Sequence, residues 1–146
     1  MSKFFQAFLT GIFFTFILDF FLFLGIKENY IDLHEIDLYY NILFADHQCW
    51  LLYGVVSAIL GFIIIYLDKN KISAIVLGTL LFLVSLTLIP PIGNTLGEVM
   101  FMQKNVTLKD SRHTFIGDIY YSGRTQITFY EYELDKIIIL EKKDLK

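Results

Sequence analysis

One cysteine, Cys49, and two adjacent prolines, Pro90 and Pro91, stand in a chain of 146 residues. A single thiol excludes an intrachain disulfide. The lack of proline before position 90 leaves long uninterrupted helices open to the chain. Charge is scarce too: 18% of the residues are Asp, Glu, Lys or Arg, against about a quarter in ordinary soluble domains. The net charge of −3 offers no basic footprint for a nucleic acid. Catalytic signatures are also missing. There is no GxSxG, P-loop, GxGxxG, CxxC or HExxH, and His34, His47 and His113 have no serine or cysteine partner at a recognisable spacing. His34, Glu35, Asp37, Asp46, His47 and Cys49 are near one another in sequence but match no metal-ligand spacing. The sequence predicts no enzyme, no metal and no cofactor.

What is abundant is apolar surface. Hydrophobic residues make up 55% of the chain, with 15 phenylalanines and 9 tyrosines, and the mean hydropathy is +0.58. Three segments meet the length of about 18–20 apolar residues needed to cross a bilayer. They run over 4–26, 50–67 and 72–89, the last stopping at Pro90-Pro91. The first is too long for a signal peptide, and no small-x-small cleavage site precedes "KENY", so it reads as a retained span. The link "DKNK", Asp68–Lys71, makes the second and third spans an antiparallel hairpin. The expected organisation is a three-helix transmembrane region over 1–96, with a loop at 27–49, and an extramembrane β-rich domain over 97–146.

Lysine and arginine in short loops set the expected orientation. Lys3 and the hairpin lysines Lys69 and Lys71 mark one side. The 27–49 loop has Lys27 against five acids, Glu28, Asp32, Glu35, Asp37 and Asp46. The N-terminus is therefore expected in the cytoplasm and the C-terminal domain in the periplasm or outside the cell. The expected location is a bacterial inner or plasma membrane. Trp50, Tyr53 and Tyr66 lie near the ends of the second span, as an aromatic belt would place them.

Helices in lipid pack through small residues and paired polar groups. Gly54, Ser57, Ala58 and Gly61 share one face of the second span, and Ala74, Gly78 and Ser85 form a similar stripe on the third. The first span carries Ala7, Gly11, Thr15 and Asp19 at i+4 steps. Asp19 lies about 6 Å beyond the middle of that span. With the spans alternating in direction, Thr15, Ser57 and Ser85 or Thr87 are expected at a similar depth. They would form an intramembrane polar cluster around the carboxylate. A charged group inside a span is costly and marks either a functional site or a locked helix contact.

The 27–49 segment carries Ile36, Tyr39, Tyr40, Leu43 and Phe44 on one face if 35–45 is helical. Beyond Val106 the residues favour strands: "RHTFIGDIYY", "RTQITFYEYE" and "KIIILEKKDLK", with Ser-Gly and Leu-Asp between them. They read as a three-stranded antiparallel meander, to which "VTLKD" could add a strand. Phe115, Ile119 and Tyr121 share a face of one strand, and Ile127 and Phe129 a face of the next. The register depends on the length of the turn. So small a sheet needs a neighbour, and the 27–49 segment is expected to supply one. Tyr120, Tyr121, Tyr130 and Tyr132 are candidate partner contacts.

The functional expectation is a non-catalytic integral membrane protein. Beyond the lipid bilayer it would bind another membrane protein or a second copy of itself, as an accessory subunit of a membrane complex or as an immunity or exclusion protein against a membrane-active toxin. The alternative is an oligomeric ion or proton channel or transporter subunit that uses Asp19.

Overall fold

A computed structural model describes residues 2–67, 70–110 and 113–145. An apolar run without proline folds as one long helix, α1 (Lys3–Ile26). It continues through a wider π turn at Lys27–Ile31, where Asp32 N–H reaches back to the Lys27 carbonyl at 2.9 Å. Helix α2 (Tyr40–His47) and helix α3 (Trp50–Tyr66) follow, meeting at a bend of 87°. Helix α4 (Asn70–Ser85) extends as a 3-10 turn over Leu86–Leu88. Asp68 and Lys69 of the tight link between α3 and α4 lie outside the described residues. Two helical segments, Lys3–Ile31 and Asn70–Leu88, are long and apolar enough to cross a membrane, and the bent pair α2 and α3 makes a third if it counts as one span.

Helix α1 is the central element. It packs most extensively on α3 and less closely on α4. Helices α3 and α4 meet near their link, where Ser73 Oγ donates to the Ile63 carbonyl at 3.1 Å.

The prolines do more than end the third apolar run. A further helix, α5 (Pro90–Phe101), begins at them, with Ile89 as its N-cap. Proline lacks only an N–H that the first helical turn cannot use, and its φ already suits a helix. The expected domain boundary at 97 therefore falls inside a helix. Gly93 and Gly97 are buried and bring α5 against Asn29 and Tyr30, on the continuation of α1.

The chain then forms four antiparallel strands, one more than the meander read from its strongest segments. They are β1 (Gln103–Lys109), β2 (Thr114–Ser122), β3 (Gln126–Glu131) and β4 (Lys136–Glu141), in sequence order across the sheet. At the β2–β3 turn Ser122 pairs with Ile127, a register that would oppose Ile119 to Tyr130. A bulge at Tyr120 shifts the ladder, so Ile119 pairs with Phe129 instead. Ile119, Ile127 and Phe129 then form one buried core with Phe115, Val106, Leu108, Ile138 and Leu140. A bridge from Asp110 to Leu145 closes the sheet at one end, and Leu145 packs on that core.

The bulge also turns Tyr121 toward the helices. It joins Phe23, Ile26, Tyr30, Ile31, Ile36, Leu43 and Phe101 in a second core where the helices meet the sheet. The 27–49 segment thus contributes apolar residues to the sheet's neighbour. Its helix is shorter than the 35–45 pattern suggests: Ile36 and Leu43 are buried, while Tyr39, just before α2, is 71% exposed.

Candidate functional site

The site is built on the contact between α1 and α3. A Cβ added at Gly11 would lie 1.8 Å from the Ser57 carbonyl oxygen, and one at Gly61 would lie 2.0 Å from that of Ala7. The two helices therefore touch backbone to backbone at Ala7–Gly61 and Gly11–Ser57. Other members of the small-residue set lie elsewhere. Gly54, Ala58, Ala74 and Gly78 are exposed, and a Cβ at Gly54 or Gly78 would meet nothing within 4 Å.

Antiparallel pairing in which residue 7 faces 61 and 11 faces 57 carries forward to Thr15 facing Tyr53 and Asp19 facing Cys49. Tyr53 fits this register by donating its hydroxyl to the Ile12 carbonyl at 3.0 Å. Asp19 is consequently level with the start of α3, and Gln48 Nε2 donates to its carboxylate at 2.9 Å. Ser57 is about 12 Å further along α1, two turns away, at 1.5 Å per residue. The expected depth took the spans as centred on one another. In the structure α1 overshoots α3, so Asp19 meets the α2–α3 link rather than the middle of α3.

Of the rest of the expected cluster, Thr15 is 2% exposed and Ser57 fully buried, and neither hydroxyl has a hydrogen-bond partner among the described residues. Thr87 is tied elsewhere: its hydroxyl donates to the Val84 carbonyl at 2.7 Å, with the Phe21 carbonyl at 3.3 Å, and it abuts Gly25. Ser85 is half-buried at the end of α4.

Between α1, the α2–α3 link and α3 lies a cavity of about 340 Å3. Asp19, Thr15, Gln48 and Cys49 line it with mostly apolar side chains. Gln48 Oε1 is buried and also lacks a partner among the described residues. Sequence reasoning missed Gln48 because its role depends on the bend that folds the link back over α1. No spacing announces that bend.

Next to this cavity the sheet is fastened to the helices. Tyr30 donates its hydroxyl to the Tyr120 carbonyl at 2.8 Å, and His47 Nε2 lies 3.0 Å from the Tyr121 hydroxyl. Arg124 makes a two-pronged ion pair with Asp46. That pair holds the Asp46 carboxyl below the usual carboxylate range. Burial pushes the His47 imidazole down, partly offset by the Asp46 charge.

The tyrosines divide by face. Tyr121 is buried, and Tyr120 and Tyr130 stack with ring centroids 5.8 Å apart. Tyr130 donates to Asp135, and Tyr132 donates to Asp118. Both phenols are held above their ordinary range, chiefly by these acidic acceptors. On the same face as Tyr130 and Tyr132, the side chains of Ile116, Ile137 and Ile139 are 47%, 39% and 61% exposed. Strand β4 forms one edge of the sheet.

Among the described residues, no group of three His, Cys, Asp or Glu stands close enough to hold a metal ion. No protein-family model matches the chain, and no curated protein or solved structure is significantly similar to it.

Proposed function

We propose that the chain is a non-catalytic integral membrane protein that holds another membrane component. It would do so as an accessory subunit of a membrane complex or as an immunity or exclusion protein against a membrane-active toxin. The observation that carries this reading is the apolar ribbon of Ile116, Tyr132, Ile137 and Ile139 on a sheet whose β4 edge has no partner strand among the described residues. An open strand edge beside stiff aromatic and branched side chains is a surface on which another chain can dock.

The orientation goes with this proposal. The N-terminus and the α3–α4 link face the cytoplasm, and the sheet faces the periplasm or cell exterior, by the distribution of short-loop lysines. A bacterial inner or plasma membrane suits that arrangement. The rival reading is an oligomeric ion or proton pathway with Asp19 facing a shared axis. It draws less support, because Asp19 is engaged by Gln48 of its own chain and lies level with the start of α3.

A photo-crosslinking side chain at Ile139 tests the proposal in native membranes. A discrete product at Ile139, absent when the group is placed at exposed Lys109 on the other edge strand, is expected. A product with a resident membrane protein assigns the accessory role, and one formed only on toxin challenge assigns the immunity role. Monomer alone under both conditions defeats the proposal. For the rival, Asp19→Asn should abolish ion flux in reconstituted vesicles while leaving assembly intact.

A further inference from the structure

The geometry points to the cavity beside Asp19 as a binding site for a primary alkylammonium amphiphile, its charged head on Asp19 and its chain along the apolar wall. This does not rest on the partner-binding proposal.

The head site is defined by unfilled acceptors. Asp19 has one carboxylate oxygen bonded to Gln48 Nε2 and retains further acceptor capacity. Among the described residues, Gln48 Oε1 is buried without a partner, as is the hydroxyl of Thr15, which is 2% exposed. All three residues line the same cavity of about 340 Å3. Buried polar atoms are nearly always satisfied, so such a set calls for a donor. A primary ammonium carries three N–H donors and one positive charge. It matches three acceptors of which one is anionic. Among the described residues no lysine or arginine lines the cavity to neutralise Asp19 from within, and the Nε2 of His47, which does line it, is engaged by the Tyr121 hydroxyl.

The rest of the wall selects the body of the ligand. Leu22, Leu52, Val56 and Val84 line the cavity, and the volume falls at the low end of the roughly 300–1,000 Å3 range of small-molecule sites. Asp19 is level with the start of α3, beside Trp50. Tryptophan is enriched where helices enter a membrane interface, a level at which a charged head and a buried chain are both accommodated. The two sources of this chemistry are a free long-chain amine and an amine-headed lipid of the bilayer itself.

Cys49 supplies the readout. It is the only cysteine in the chain, it is exposed and it lines the cavity. The protein in phosphatidylcholine nanodiscs is modified with methyl methanethiosulfonate in the presence of decylamine, decanol or decyltrimethylammonium. Decylamine is expected to slow modification saturably. Decanol lacks the charge and decyltrimethylammonium lacks the N–H donors, so neither should protect at the same concentration. Asp19→Asn should raise the half-protecting decylamine concentration by at least about tenfold, the loss of one charge-assisted bond. Thr15→Val keeps the carboxylate and should raise it about threefold, which serves if the Asp19 variant does not assemble. Slowing already present in nanodiscs containing phosphatidylethanolamine assigns the lipid source. Slowing by decylamine alone assigns a free amine. Equal protection by all three probes, no protection by any, or protection unchanged in both variants overturns the site.

Discussion

A single methyl group separates the glycines that hold this bundle together from those that merely occur in it. Gly11 faces the Ser57 carbonyl at a distance no Cβ tolerates, whereas Gly54 faces open space. Gly11→Ala should destabilise the fold by about 1–3 kcal/mol, the usual cost of overpacking. Gly54→Ala should change it by less than about 0.5 kcal/mol. Reversible unfolding in mixed micelles compares the two, and equal effects would contradict the backbone contact of α1 and α3. At the same scale, His47 makes the join between helices and sheet sensitive to pH. Its imidazole titrates below the ordinary 6.5 in the folded chain because burial disfavours the charged form. The unfolded chain therefore takes up the proton first. The stabilisation is complete above pH 6.5 and is lost as pH falls through the lower folded value. Amide exchange at the end of β2, corrected for intrinsic rates, should quicken between about pH 7.5 and 5.5 in the native protein, and much less in His47→Gln.

Elements were legible where a periodic pattern ran long and obscured where a local signal has two meanings. The apolar runs marked α1, α3 and α4 to within a few residues, because their length and composition leave no other structure in lipid. The proline pair was ambiguous. It ends one helix and starts another, and α5 has Gly93 and Gly97 where a boundary was expected. Those glycines are seats, not breaks: a Cβ at Gly97 would lie 2.2 Å from the Tyr30 ring. Gly97→Val should unseat α5 at a cost of about 2–3 kcal/mol, while Thr95→Val, on its exposed side, should cost less than about 1 kcal/mol. Limited proteolysis around Phe101 reports the difference. The strand pattern was also readable, but not the register. A bulge of one residue at Tyr120 decides which side chains meet, and no residue type in the stretch demands it.

At the scale of the molecule, one end of the bundle carries the sheet. The end of α1 with its π turn, α2, the end of α5 and the sheet all meet there, through Tyr30, Leu43, Phe101 and Tyr121. This makes a labelling prediction. Cys49 and a cysteine placed at exposed Glu133 should react from the same side of the membrane with an impermeant thiol reagent. In intact cells that side should be the exterior. Opposite sides would contradict the packing of sheet on helices, and reaction of both only from the cytoplasm would reverse the proposed orientation.

The sequence by itself determined the apolar spans, the strand-rich tail and the isolation of Asp19 among phenylalanines. Each follows from composition and period along the chain, which local physics reads directly. Only the tertiary structure decided what Asp19 faces. Its depth depends on how far α1 slides past α3, a shift set by the close contacts at Gly11 and Gly61. Its partner depends on a bend that carries Gln48 back over α1. Both are relations between segments distant in sequence, fixed by packing, and neither leaves a mark in the spacing of the residues that make them.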